Sequence, residues 1–402
     1  MLYSIMRRFF GLALILFLSG FLLVGCDVPK PPPELPTATA GSQNPESANA
    51  VPGTPVRIEQ EREFTPLAVP PGTIYFVRPS GLWTIQPDGS GEKQLTNLPV
   101  TSLPAPSPDG SMVAWLSNSD LYVVASSGGE ARKLYSGQLA DRQRIGWTPD
   151  SSSIGFITLD PTLVGGEKSW YVPAVGGSPK EINSTAYGAV PRGASYERVV
   201  QWSLDGYWVV VSGVNNPMQI LRWPIATGEE GRNEGDVIEV AGGEPDWSPD
   251  SRTLVHTETV NGALGIFDVR SVKATPFRTE QQPVGTGLSE YGQGPGPHWS
   301  PASVGTDSDM IAYRSRSIQG EPRVSIRRRG ARELQPLPSL TNNPSWSPSG
   351  DKLVVETGYL EASPLGPRWV PTGLSIAAID ATGGDHKVTP LVKDARLPAW
   401  GK

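Results

Sequence analysis

The stretch Trp247-Ser248-Pro249-Asp250 decides the fold, because it recurs along the chain. Related copies are Ser107-Pro108-Asp109-Gly110, Trp147-Thr148-Pro149-Asp150, Trp202-Ser203-Leu204-Asp205-Gly206, Trp299-Ser300-Pro301 and Trp346-Ser347-Pro348-Ser349-Gly350, with a last Trp400 near the end. Aligned on the Trp position, with Pro106 in the first copy, the spacings are 41, 55, 45, 52, 47 and 54. Such a period suits repeated four-stranded sheets arranged as propeller blades. Proline presets φ at the second position of a tight turn, serine suits the first and glycine the fourth. The tryptophan before the turn supplies a large flat surface for packing between neighbouring sheets.

Working outward, each turn precedes a short apolar strand such as Met112–Trp115, Ile154–Ile157, Trp208–Val211 or Lys352–Val355. A second strand follows, as in Leu121–Val124, then a Gly-rich turn such as Ser127-Gly128-Gly129 and a last short strand such as Arg132–Leu134. Ile74–Val77, Leu82–Ile85 and Lys93–Thr96 form three strands with no anchor before them, and Pro398-Ala399-Trp400 is one anchor strand with nothing after it. Joining the two ends completes one more blade and leaves no unpaired inner edge. The expectation is an all-β chain: a single seven-bladed β-propeller of four-stranded blades across residues 73–402, closed by the C-terminal strand joining the N-terminal three. Turns with Ser151 or Ser251 for Gly, or Leu204 for Pro, and the copy at Ser300, should be looser or longer.

These copies, best in residues 74–110 and 239–250, resemble the TolB-type, WD-repeat-like propeller family. The resemblance implies the fold over about four-fifths of the chain. It does not bring TolB's own partner with it, since no α/β domain precedes the repeats.

Composition agrees. The 402 residues include 45 Gly and 41 Pro, too many for long interior helices. Twelve Trp argue against a wholly disordered chain. One Cys and three His leave no cysteine zinc site, disulfide or redox pair and make a His-rich metal site a poor expectation. No metal or other cofactor is expected.

The amino terminus reads as an export signal. Arg7 and Arg8 precede an uncharged, mostly apolar run that ends Leu23-Val24-Gly25-Cys26. That ending resembles a bacterial lipobox, which implies cleavage after Gly25 and lipidation of the Cys26 thiol. Residues 1–25 are read as the signal peptide and 26–72 as the lipidated Cys26 with a Pro-rich linker, which has eight Pro between Asp27 and Pro55. The location expected is a membrane-anchored head on the periplasmic or outer cell-surface side. Without residues 1–25 the net charge falls from −6 to −8, which disfavours nucleic acid as a partner.

No catalytic motif is present: no Gly-x-Ser-x-Gly, phosphate loop or His-Glu-x-x-His. Asp109, Asp150, Asp205 and Asp250 read as turn residues of separate blades rather than as a metal or acid–base set. Long segments at Leu159–Ser169, Ser184–Arg198, Thr279–Pro297 and Thr357–Gly373 fall on one face of the ring. Function collects on loops held by a rigid scaffold. Candidate contacts there are Tyr187, Tyr196, Tyr291, Tyr359 and Trp369; as a set they could equally pack their own loops, which is the simpler account of any single one.

The residues preceding the anchors form a ring: Ala105, Gly146, Gln201, Asp246, His298, Ser345 and Ala399. Gln201, Asp246, His298 and Ser345 occupy four consecutive blades, and Arg144 lies near them. This arc is a candidate channel-mouth site for a small polar ligand, a cation or a peptide end; solvated channel residues are the simpler account. Arg323, Arg327, Arg328, Arg329 and Arg332, with Arg314 and Arg316 nearby, form a candidate basic patch for an acidic partner, or a solvated strand that discourages edge pairing. The leading expectation is a non-enzymatic, monomeric, membrane-tethered head that binds a protein or peptide on its long-loop face. The alternative is an exported sugar or metal sensor, or a propeller enzyme, working at the channel mouth.

Overall fold

The computed structural model describes residues 72–140, 143–160, 166–182, 198–212, 218–223, 237–240, 242–257, 264–269, 273–277, 296–303, 309–317, 319–329, 334–364, 366–382 and 384–402. Cys26 and its neighbours Leu23, Val24 and Gly25 lie outside these residues, as do Tyr187, Tyr196, Tyr291 and Arg332.

Every element among the described residues is a strand. The strands form seven sheets, one per blade. Blade 1 joins Arg396–Trp400 to Ile74–Arg78, Gly81–Ile85 and Lys93–Thr96, with Tyr75 opposite Ala399 and Ile74 opposite Trp400. Gly401 N–H donates to the Thr73 carbonyl at 2.9 Å, so the closure continues past the strand end. Blade 2 covers residues 105–136, blade 3 146–182, blade 4 198–240, blade 5 243–277, blade 6 298–328 and blade 7 341–393.

The apolar cores lie between blades rather than within them. Seven buried clusters each draw residues from two neighbouring blades. Trp247, for instance, packs with Leu254 and Phe267 of its own blade and with Val210 and Ile220 of blade 4. Strand alternation sends one face of each sheet back and the other forward. The anchor indoles also donate across these seams: Trp147 Nε1 to Ala105 O (2.8 Å), Trp247 Nε1 to Gln201 O (3.3 Å) and Trp346 Nε1 to His298 O (3.1 Å). Each acceptor is the residue preceding the anchor of the previous blade. Where Pro106 replaces Trp, the buried ring of Trp115 fills that seam instead.

The turns after Trp147, Trp202 and Trp247 are not looser. Gly110 and Gly206 take positive φ (73° and 75°), and so do Ser151 (60°) and Ser251 (58°). All four close the same backbone bond, Ser151 N to Thr148 O for example at 2.9 Å. Leu204 leaves the bond from Gly206 N to Ser203 O intact at 3.0 Å. A serine in this region is strained by about 1–2 kcal/mol. Here its hydroxyl offsets the strain: Ser151 Oγ accepts Asp109 N–H (3.1 Å), and Ser251 Oγ accepts Asp205 N–H (3.0 Å). The serines thereby tie each turn to the turn of the preceding blade. The copy at Ser300 closes as well, from Ser303 N to Ser300 O at 2.9 Å.

Blade 6 has three strands among the described residues. Its outer edge is covered by Leu334–Leu340, whose Leu334, Leu337 and Leu340 N–H groups donate to Ile326, Val324 and Pro322 carbonyls. The donors step by three residues while the acceptors step by two. Pro336 and Pro338 have no N–H to give, so the segment runs in a three-residue rhythm and caps the edge without joining the ladder.

Candidate functional site

The channel arc converges. Arg144 belongs to a two-residue strand, Gln143–Arg144, that pairs in parallel with the inner strand of blade 4, Val199 opposite Arg144. This pairing is possible because Gly146 and Gly155 carry no side chain. A Cβ on Gly146 would overlap the Val200 carbonyl, and one on Gly155 would come within 2.5 Å of Val200 Cγ1 and 2.6 Å of the Trp202 ring. From this seam Arg144 reaches blades 5 and 6. Its Nη2 donates to the Pro245 carbonyl, its Nη1 lies 3.3 Å from His298 Nδ1, and the same Nη1 lies 3.8 Å from Asp246 Oδ1.

Asp246 is the hub. Its Oδ1 accepts Gln201 Nε2 at 2.8 Å, its Oδ2 accepts the Trp299 N–H at 2.8 Å, and His298 Nδ1 lies 3.7 Å from Oδ2. Burial opposes ionisation of this carboxyl, but His298, Arg144 and Gln201 outweigh it and hold its pKa below the usual carboxylate range. Burial also holds His298 below its ordinary range, reinforced by Arg144 and Arg314 and opposed by Asp246. His298 Nδ1 faces both Arg144 and Asp246, and its donor or acceptor role follows the tautomer of the ring. Ser345 occupies the next ring position; its Oγ accepts Trp400 N–H at 2.9 Å, which secures the closing strand.

This set suits binding more than acid–base work. Both Asp246 oxygens are already engaged, and the guanidinium of Arg144 fills the place of a cation between Asp246 and His298. Among the described residues no group of three His, Cys, Asp or Glu could hold a metal ion.

The other singled-out residues separate into their own surroundings. The described parts of Leu159–Ser169 and most of Thr357–Gly373 are strand rather than loop, while Ser184–Arg198 and Thr279–Pro297 lie almost wholly outside the described residues. Ser153–Asp160 pairs with Gly166–Pro173, and Lys352–Glu361 pairs with Arg368–Ala378 as a hairpin that runs beyond the inner and outer strands of blade 7. The alternating residues of Gly358–Glu361 and Arg368–Pro371 read as irregular because a bulge after Thr357 resets the register. On this hairpin Tyr359 is 47% exposed, whereas Trp369 is 7% exposed, packs on Leu340 and Leu360, and donates Nε1 to Glu356 at 3.0 Å. Trp369 is therefore a support for the hairpin rather than a surface contact.

The arginines of blade 6 do not share one face. Arg323 and Arg327 stand opposite Ser315 and Ile311, while Arg328 stands opposite Met310 with the other parity; Arg329 lies past the strand, its N–H donating to Asp309 O. Strand alternation splits Arg323 and Arg327 from Arg328. All four are half-buried.

The turn aspartates are structural in geometry. Ser107 Oγ donates to Asp109 Oδ1 at 2.6 Å and Ser111 N–H at 3.0 Å; Thr148 and Ser152 do the same for Asp150. Burial works against ionisation of both, yet these bonds hold both pKa values low. His256 is buried in blade 5 and its pKa falls to about 4 through burial.

One buried group escaped the sequence reading. Glu356 accepts Leu397 N–H, which belongs to the closing strand, and Trp369 Nε1. Burial raises its pKa, against the pull of Leu397, Asn343 and Trp369. A Val-Val-Glu run in an apolar strand was the available signal.

No protein-family model and no curated protein matches the sequence. Solved structures do match in fold. A candidate 6-phosphogluconolactonase from Bacteroides uniformis is 14% identical, with 81% of this chain and 99% of that chain covered and a TM-score of 0.55. Another from Bacteroides fragilis gives 14%, 81%, 94% and 0.55. TolB from Acinetobacter baumannii is 15% identical over 82% of this chain, with a TM-score of 0.46; the chain spans 66% of its length. At these identities the likeness is one of fold, and together with the seven closed sheets it makes the chain a seven-bladed β-propeller.

Proposed function

We propose that the chain is an exported, membrane-tethered, non-enzymatic propeller that binds a protein or peptide on the face bearing the blade-7 hairpin. The observation that carries this reading is the hairpin itself. Two strands of 10 and 11 residues extend past their blade and hold Tyr359 out to solvent on a base fixed by Trp369. A rigid projection with an exposed aromatic is an economical contact, because little side-chain freedom is lost on binding.

A photocrosslinker at residue 359 tests it, with residue 175 as control. Val175 is 78% exposed in a turn at the other end of the strands. A discrete protein adduct from membranes at 359 and not at 175 supports the reading; equal adducts at both, or none, overturn it. The tether has its own test: wild type should take up labelled fatty acid and Cys26→Ala should not.

A second reading places a small ligand at the channel, as an exported sensor or an enzyme site. The convergence of Arg144, Gln201, Asp246 and His298 from three blades favours it.

A further inference from the structure

We infer that the ring is two bodies rather than one: an arc of blades 6, 7, 1, 2 and 3, and a pair of blades 4 and 5 that swings against it, with Arg144 as the fastening common to both joints.

The ties between blades are unevenly spread. Three seams are tied twice near the anchor turns, once by the anchor indole and once from turn to turn. Blade 3 meets blade 2 through Trp147 Nε1 on Ala105 O (2.8 Å) and Asp109 N–H on Ser151 Oγ (3.1 Å). Blade 5 meets blade 4 through Trp247 Nε1 on Gln201 O (3.3 Å) and Asp205 N–H on Ser251 Oγ (3.0 Å). Blade 7 meets blade 6 through Trp346 Nε1 on His298 O (3.1 Å) and the Ser300 hydroxyl on Gly350 O (3.2 Å). Blade 1 is held by blade 7, where Ser345 Oγ and Glu356 accept the Trp400 and Leu397 N–H groups. It is held by blade 2 through the Tyr75 hydroxyl on Ser126 Oγ (2.8 Å).

The two remaining seams, between blades 3 and 4 and between blades 5 and 6, lack both ties among the described residues. Trp202 Nε1 and Trp299 Nε1 are buried without a partner. Gly206 stands where Ser151 and Ser251 supply a hydroxyl, so the turn of blade 4 has none to offer blade 3. At the same place in blade 6, Ser303 closes its turn, but its buried Oγ has no partner. Buried donors are normally paired, so two orphaned indoles at one repeat position mark seams that the turns do not lock.

What fastens these seams lies on the channel side of the anchors. Between blades 3 and 4 it is the Gln143–Arg144 ladder and the Arg198–Glu167 ion pair at 2.6 Å. Between blades 5 and 6 it is the Trp299 N–H on Asp246 Oδ2 at 2.8 Å, and Arg144 reaching Pro245 O and His298. Toward the anchor turns the described residues meet through packing, such as Tyr171 edge-on to Trp223 at 5.1 Å. Bonded at one end and packed at the other, each seam is a hinge that opens at the anchor-turn face. Arg144 serves both, its backbone at the first and its guanidinium at the second. Opening of the second also reshapes the channel arc, because Asp246 and His298 stand on its two sides.

Distances between nitroxide labels, measured by EPR on the purified full-length chain, test this. Cys26→Ala confines labelling to introduced cysteines, and Ser111, Ser152, Tyr207, Arg252 and Ala302 offer exposed sites on the turns. The distributions for 152/207 and 252/302, which cross the two hinges, should be about twice as wide as those for 111/152 and 207/252. Arg144→Met should widen the two hinge pairs further and leave the other two unchanged. Four equal widths in both proteins, or widening spread over all four pairs, overturns the inference. If the variant does not fold, the four widths in the parent chain decide.

Discussion

Blades 3 and 4 meet backbone against backbone, whereas blades 5 and 6 meet through charged and polar side chains. At the first seam Gly146 and Gly155 leave no Cβ, and Gln143–Arg144 pairs with the next inner strand in parallel. At the second, Asp246 reaches forward to the Trp299 N–H and gathers Gln201, Arg144 and His298 around it. The same repeat position, the residue preceding the anchor, is glycine in one and aspartate in the other. Both seams close because the buried anchor tryptophan fills them, Trp202 in one and Trp299 in the other. The ring position is thereby free to vary in chemistry, and a polar arc can be assembled without unmaking the fold. The two seams are also linked, since Arg144 leaves the tight one to serve the polar one.

The comparison breaks most readily at Asp246. Asp246→Ala removes the buried carboxylate that Arg144, Gln201 and the Trp299 N–H share and should cost about 3–5 kcal/mol in denaturant unfolding. Replacing Arg144 and Asp246 together by leucine should cost less than the single change, because the two facing charges leave together. A double change as costly as the single one would show that the pair matters through its shape. At the tight seam, Gly146→Ala overpacks against Val200 and should cost about 1–3 kcal/mol. A neutral result would mean that blades 3 and 4 can part without penalty.

Smaller effects sharpen the turn argument. Ser151→Ala loses the bond to Asp109 N–H while keeping the strained φ, a loss of about 1 kcal/mol; Ser151→Gly relieves the strain and should fall nearer wild type. The smallest expected effect is a difference in pH slope. Asp246, Asp109 and Asp150 have depressed pKa values, so their contribution is complete above the ordinary carboxylate range and is lost as pH falls through the depressed values. Glu356 is raised, so its contribution is complete at low pH and lost as pH rises through the raised value. Removing this opposing trend, Glu356→Gln should lose stability on acidification more steeply than wild type. Unfolding midpoints across pH check it.

Several particulars were legible in the chain. The recurring anchors marked every inner strand, and the unmatched Trp400 paired with the unmatched strands at Ile74 as the closure argument required. The polar arc was legible as well, because equivalent positions in a cyclic repeat face one axis. One long segment misled: Thr357–Gly373 carries Gly, Pro and Ser at turn-like density, yet Trp369 finds Glu356 and Leu340, and a hairpin forms. Ser151 and Ser251 misled likewise, because the bonds that offset their strain come from the preceding blade.

The sequence alone determined the number of blades, their order and the way the ring shuts, since turn chemistry and hydrophobic alternation are local and repeat with a period. Tertiary structure alone decided that Arg144 spans from the blade 4 sheet to blades 5 and 6, that Glu356 holds the closing strand, and that Gln201 Oε1 stays unpaired. Those outcomes depend on distances between residues about 40 to 150 positions apart in sequence, which neither propensity nor periodicity encodes and which only the closed ring brings within hydrogen-bond reach.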